Sequence, residues 1–170
     1  MKAWIGLGGN REDSADLLVR ALSRLEGMPE VRLLRQSRCY RSPPWGVTGQ
    51  PDFVNAVAEL ETTLPPAALL RLLLNLEREL GRERSAERWG PRCIDLDLLT
   101  YEGVMLHSDE LVLPHPRMHL RAFVLVPLLE LDPDFDIPGL GSAAHWLQRL
   151  DPLEAAGVAP LTPVCEEESP

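Results

Sequence analysis

The run Ile94-Asp95-Leu96-Asp97-Leu98 admits few folds. Its period of two is met by a strand, where successive side chains point to opposite faces. Ile94, Leu96 and Leu98 then share a core face. Asp95 and Asp97 share the other, roughly 6–7 Å apart along the strand. The run predicts a strand from Ile94 to Tyr101 in a sheet with one apolar and one polar face. Two adjacent carboxylates repel unless a cation lies between them, and hard oxygen ligands suit Mg2+. Immediately upstream come Arg82, Arg84, Arg88 and Arg92, with Trp89 among them and Gly81, Gly90 and Pro91 as breakers. An arginine presents a planar fork that matches phosphate oxygens. An arginine loop running into a carboxylate pair points to a magnesium-nucleotide site. The competing reading is plainer: a solvated strand face beside a solvated charge run.

Composition narrows the choice. At 170 residues, 45% of them hydrophobic, the chain is expected to form one domain with a real core. The net charge of −9 argues against a general nucleic-acid binder. The three cysteines, Cys39, Cys93 and Cys165, follow no disulfide or metal-site spacing, which points to a reducing compartment. No run is long enough to span a membrane, and the N-terminus does not read as a signal peptide. A soluble, cytoplasmic protein is expected. No long apolar stripe is left over, so a monomer is expected too.

The remaining elements follow from periodicity. Ala3 to Leu7 reads as a buried strand ended by Gly8-Gly9-Asn10. Arg11 to Glu26 reads as a helix with its stripe on Leu17, Leu18, Ala21, Leu22 and Leu25, capped by Asp13 or Ser14. Val31 to Ser42 is extended. Pro43 to Pro51 is a loop that carries Trp45. Phe53 to Glu61 alternates, with Val54, Ala56, Ala58 and Leu60 towards the core and Phe53, Asn55, Val57 and Glu59 opposite. An aromatic beside an amide suits a flat heterocycle, although a half-buried Phe near a turn is the simpler account.

Pro65-Pro66 opens a second helix, which ends at Gly81. Glu77 flanks its leucine stripe, either as a solvated edge residue or as an acceptor for a ligand. His115 lies between two prolines and beside Arg117 and Arg121, a candidate phosphate site. Phe123 leads an apolar run that reads as a strand. Ala143 to Leu150 reads as a short helix, and residues 161–170 as an acidic tail after a domain of residues 1–160. Strand, helix, strand, strand, helix, strand is the split βαβ order of a ferredoxin-like α+β fold. Its helices cover one face of an antiparallel sheet and its loops close over the other.

Several motifs together resemble one family, 6-hydroxymethyl-7,8-dihydropterin pyrophosphokinase of folate biosynthesis. They are G-R-x-R with R-W-G-P-R-x-I-D-L-D-L, L-P-H-P-R with R-x-F-V-L-x-P-L, and S-P-P-W-G with F-V-N-A-V. The resemblance spans about Trp4 to Pro133. It implies transfer of the β,γ-pyrophosphoryl group of ATP to the pterin hydroxymethyl oxygen, with AMP leaving. It implies that Asp95 and Asp97 bind two Mg2+ and that Arg82 and Arg92 stabilise charge on the transferring group. Glu77, Arg84, Arg88, Trp89, Arg92, Leu98, His115 and Arg121 would hold ATP. Phe53 and Phe123 would sandwich the pterin, with Ser42, Pro43, Pro44, Trp45 and Asn55 around its edge. Gly9, Ser42, Phe53, Leu74 and Cys93 depart from the family's common residues. Two other classes compete: a non-catalytic RNA- or nucleotide-binding module using Phe53, Trp89 and Phe123 as stacking platforms, and a Mg-dependent phosphohydrolase acting on ATP without a pterin.

Overall fold

Strand β1 (Lys2–Gly9) is the spine of the sheet, because it pairs antiparallel on both edges. The computed structural model describes residues 1–44, 49–81 and 93–161. The expectations for Trp45, for Arg82, Arg84, Arg88, Trp89 and Arg92, and for the acidic tail beyond Leu161 lie outside the described residues. Ala3, Ile5 and Leu7 turn to one side of β1 and join the main core. Trp4 turns to the other side, where Gly6 and Gly8 leave the surface bare.

Helix α1 (Ser14–Glu26) buries Leu17, Leu18, Ala21, Leu22 and Leu25 in that main core, the stripe its spacing predicts. Asp13 occupies the N-cap position without a side-chain cap bond; Ser14 Oγ instead accepts the Arg11 amide at 2.8 Å. The extended segment after it divides into β2 (Val31–Gln36) and β3 (Tyr40–Ser42). Both pair with the same edge of β4 (Phe53–Thr62), one after the other. Helix α2 (Pro66–Glu79) starts behind Pro65 and buries Leu69, Leu73 and Leu76 beside α1 in the main core. Gly81 follows it at φ +93, a left-handed conformation that favours glycine.

Strand β5 (Asp95–Tyr101) pairs with the free edge of β1 and is an edge strand of the sheet. Ile94, Leu96 and Leu98 enter the main core. Leu99 follows the alternation onto the opposite side and packs with Trp4 and Val57, and the register then slips between Trp4 and Ile5, so that Tyr101 rather than Thr100 returns to the main core. A short hairpin follows, β6 (Leu106–His107) with β7 (Val112–Leu113), and then a 3-10 turn over Met118–Leu120.

The apolar run from Phe123 is not a strand. It is helix α3 (Ala122–Leu131), with Pro127 inside it. The helix packs on the second sheet face against Trp4, Val57 and Leu99, and its outer side is covered in turn. A helix apolar on several sides loses the 3.6-residue pattern that would mark it in the sequence. Its cover comes from the chain's last elements: hairpin β8 (Asp136–Ile137) with β9 (Gly141–Ser142), helices α4 (Ala143–Arg149) and α5 (Pro152–Ala156), and strand β10 (Ala159–Pro160), which pairs with β3. The sheet order is β10-β3-β4-β1-β5, with β2 also on β4. The fold is antiparallel α+β and ferredoxin-like, with α1 and α2 on one face. Helix α3 covers part of the face that the two-helix pattern leaves open.

Candidate active site

The open part of the second face is set by register. Gly8 pairs with Asn55 on β4 and with Asp95 on β5, and Tyr40 pairs with Asn55 from β3. Directly opposed residues of antiparallel strands share a face. Tyr40, Asn55 and Asp95 therefore form one row across the sheet, with a bare glycine in the middle. In the next row Gly6 pairs with Val57 and Asp97. Both aspartates thus lie on the predicted face, opposite glycines that put no side chain in front of them. A Cβ on Gly8 would stand 3.0 Å from Asn55 Oδ1.

Asn55 is buried, and its Nδ2 donates to Ser42 Oγ at 2.8 Å. That bond fixes the amide, so its carbonyl oxygen faces the glycine gap. Ser42 is buried too and pairs with Phe53, which is half-buried at the mouth of the same face by strand alternation. Pro43 and Pro44 follow Ser42 directly.

On the other flank, Arg121 Nη1 lies 3.5 Å from Asp97 Oδ2, and its guanidinium sits 5.5 Å from the Phe123 ring centre. Arg121 is mostly buried, whereas Asp97 is 47% exposed. His115 is fixed by its backbone, whose amide donates to Leu99 O at 2.7 Å, while its Nδ1 accepts the Arg117 amide at 3.2 Å. Burial pushes the His115 imidazole below its usual pKa. The Asp97 carboxylate opposes that shift, and Arg121 and Arg117 add to it. Asp97, His115 and Arg121 therefore form one electrostatic group at the end of β5.

Glu77 is not a solvated edge residue. It is 3% exposed, and its Oε1 accepts the Leu96 amide at 2.6 Å. A carboxylate from α2 thus holds the edge strand between its two aspartates. Leu98 also differs from a ligand-facing side chain: it is buried in the main core on the helix side. Only its backbone is left to meet a nucleotide.

The base of the arginine segment shows contacts that sequence reasoning missed. Cys93 Sγ donates to Gly81 O at 3.1 Å and accepts from Arg11 Nη1 at 3.2 Å. Gly9 lies against the Cys93 carbonyl, where a Cβ would stand 2.5 Å from the oxygen. The run Gly8-Gly9-Asn10 was the available signal, since adjacent glycines mark a close backbone approach as well as a strand end.

No group of three or more His, Cys, Asp or Glu side chains among the described residues forms a metal cage. Asp95 and Asp97 supply hard oxygens on one face, with glycines opposite. Mg2+ characteristically takes one or two carboxylates and fills its other positions with water and phosphate. The donor set fits that mode of binding.

Residues 4–133 match the family described as 7,8-dihydro-6-hydroxymethylpterin-pyrophosphokinase (HPPK). The chain belongs to this family. It is 46% identical over 151 residues to a Methylorubrum extorquens 2-amino-4-hydroxy-6-hydroxymethyldihydropteridine pyrophosphokinase, covering 89% of this chain and 94% of the relative. It is 42% identical over 136 residues to the Haemophilus influenzae protein of the same name, covering 80% and 84%. The fold resembles a crystal structure of wild-type Plasmodium falciparum HPPK-DHPS with SDX-DHP, at a TM-score of 0.62 and 14% identity. That match covers 86% of this chain and 43% of the other, so this chain spans less than half the length of that structure.

Proposed function

We propose that this protein transfers the β,γ-pyrophosphoryl group of ATP to the hydroxymethyl oxygen of 6-hydroxymethyl-7,8-dihydropterin, a step of folate biosynthesis. The hydroxymethyl oxygen forms a bond to the β-phosphorus. The bond from that phosphorus to the α,β-bridging oxygen breaks, and AMP leaves with the electron pair. One observation carries the reading: Asp95, Gly8 and Asn55 stand side by side across three strands. A metal-binding carboxylate and a heterocycle-reading amide thus face the same bare glycine.

Asp95 and Asp97 are the residues that would hold two Mg2+, which neutralise phosphate charge and favour loss of the hydroxyl proton when bound. Asn55, fixed by Ser42, reads the pterin edge, and Ser42, Pro43, Pro44 and Trp45 line it. Phe53 and Phe123 hold its two faces. His115 and Arg121 hold the polyphosphate, and Arg121 also orders Asp97. Glu77 and the Leu98 backbone support the nucleotide side through β5. Arg84, Arg88 and Trp89 complete the ATP site, and Arg82 and Arg92 stabilise charge that grows on the transferring group. The described residues offer no strong general base, and positioning with charge neutralisation suffices for this kind of transfer.

The test is a product analysis. The protein is incubated with MgATP, with and without the pterin, and AMP is separated from ADP. AMP and a pterin pyrophosphate ester, formed only together, are expected. ADP would mean transfer of a single phosphoryl group. Phosphate or pyrophosphate released without the pterin would mean a hydrolase. Either result would overturn the reading.

A further inference from the structure

Two walls that carry proposed pterin contacts, strand β3 with Ser42 and helix α3 with Phe123, are not neighbours in sequence. They touch directly where Tyr40 Oη donates to Glu130 Oε2 at 2.7 Å, and nearer the proposed pterin contacts they are bridged by the arm that runs from α5 into β10. Glu154 on α5 accepts the Ala122 amide at 3.4 Å, at the first residue of α3 and next to Phe123. Val158 is buried in one apolar cluster with Tyr40 of β3 and Ala122 of α3. Ala159 and Pro160 pair with Arg41 and Tyr40, and the Leu161 amide donates to Cys39 O at 2.8 Å. The arm therefore adds a strand to β3 and binds the start of α3 in one stroke.

Gly157 of the arm stands beside Pro43. A Cβ there would stand 3.2 Å from both Cγ and Cδ of Pro43 and 3.3 Å from Leu153 O. Gly157 has φ −72, so an L-residue suits its backbone. A side chain there would press on Pro43, the residue that follows Ser42, which would have to give by a few tenths of an ångström. The arm itself, from Pro152 to Leu161, lies beyond residue 133, where the family match ends.

We propose that the arm from Pro152 to Leu161 is a positioning element of the pterin site, with Gly157 setting the place of Pro43 and Glu154 setting the start of α3 and hence Phe123. This rests on the function proposed above. Among the described residues no hydrogen bond or ion pair joins the arm to Asp97 or His115, and its contacts fall on the pterin walls, so its effect falls on the pterin rather than on ATP. A rigid wall misplaced by a fraction of an ångström loses contacts that a flat ring requires on both faces.

Steady-state kinetics on full-length variants test this, with each substrate varied in turn. Gly157→Val is expected to raise the pterin KM about tenfold and to leave the ATP KM within about twofold, the scale of a local misplacement. Gly157→Ala, the milder change, is expected to move the same constant in the same direction by less. Glu154→Ala is expected to raise the pterin KM, and Glu154→Gln, which keeps an acceptor oxygen for the Ala122 amide, to restore it. A structural role alone would move both KM values, or only the melting temperature. Equal shifts for the two substrates, an unchanged pterin KM in folded variants, or no difference between the two Glu154 variants would overturn the proposal. Absence of pterin-dependent AMP release from the wild-type protein would overturn the functional reading and the arm's role with it.

Discussion

The Glu77 carboxylate lies 2.6 Å from the Leu96 amide, and that one bond ties the helix-side core to the strand that carries both aspartates. Leu96 stands between Asp95 and Asp97, so the bond fixes where both carboxylates begin. Glu77→Ala removes the acceptor and leaves a buried amide without this partner, which costs about 1–3 kcal/mol. It should also lower activity beyond any loss of folded protein, because the aspartates shift. Glu77→Gln keeps an oxygen in place and should recover most of the stability. Urea denaturation and activity at matched folded fraction check both statements. Equal losses for Ala and Gln would mean that the negative charge matters rather than the bond.

At Gly9 the structure leaves no room for a side chain. A Cβ would meet Cys93 O at 2.5 Å and Ser14 Oγ at 2.7 Å, and the carbonyl is backbone that cannot simply rotate away. Gly9→Ser should therefore destabilise by about 1–3 kcal/mol, the usual cost of overpacking. Gly27→Ala is the contrast: the nearest atoms to its Cβ are at 3.5 and 3.6 Å, and φ is −74. It should be neutral or stabilise by up to about 1 kcal/mol through the unfolded chain. Melting temperatures of the two variants decide it.

His119 gives the protein an acid-side weakness. Its ring meets Trp146 edge-on at 4.5 Å, and its Nδ1 is buried with no hydrogen-bond partner among the described residues. Burial pushes its pKa below the ordinary value of 6.5. Above 6.5 both folded and unfolded forms hold a neutral ring, and nothing is lost. As pH falls through that value the unfolded chain takes up a proton that the folded protein resists, so stability declines. His119→Phe keeps an aromatic edge against Trp146 and removes the proton. It should flatten the fall in unfolding free energy between about pH 7 and 5 without lowering stability at pH 8. An unchanged slope would assign the acid sensitivity to other groups.

The legible parts of the sequence were those where one side of an element faces water or an open site. Alternation placed Asp95 and Asp97 on one face and Ile94, Leu96 and Leu98 on the other, as β5 has them. Helix α2 was bounded by Pro65 and Gly81 for physical reasons that survive folding. Helix α3 was not legible, because the sheet and the C-terminal elements bury it on several sides and erase its period. Glu77 could not be resolved either. A glutamate on the flank of a leucine stripe looks the same whether it meets water or a strand amide 19 residues away. The contacts of Glu154 and Gly157 with Ala122 and Pro43 are long-range, and no local pattern announces them.

The roles proposed for Arg82 and Arg92 separate chemistry from binding. Positive charge that acts only as negative charge grows on the transferring group lowers the barrier without tightening ATP. Arg82→Ala and Arg92→Ala should each lower kcat by about a hundredfold or more while ATP affinity moves by a few-fold. Affinity is read by calorimetry with a non-hydrolysable analogue and turnover by AMP release. Loss of affinity alone would remove both residues from the chemical step.

Arg121 should behave differently, because it already has a partner in the ground state. Its Nη1 stands 3.5 Å from Asp97 Oδ2, and its guanidinium lies 5.5 Å from the Phe123 ring centre. It therefore links a carboxylate proposed to hold Mg2+ to an aromatic proposed to meet the pterin. Arg121→Ala removes both contacts and should weaken ATP binding by about tenfold, the scale of one charge-assisted contact. It should raise the pterin KM as well, since Phe123 loses its neighbour. Arg121→Lys keeps the charge near Asp97 but not the flat surface beside Phe123. It should recover ATP binding more than pterin binding. The two substrates' constants, measured on both variants, separate the roles. If lysine recovered the two equally, the Phe123 contact would contribute nothing to the pterin side.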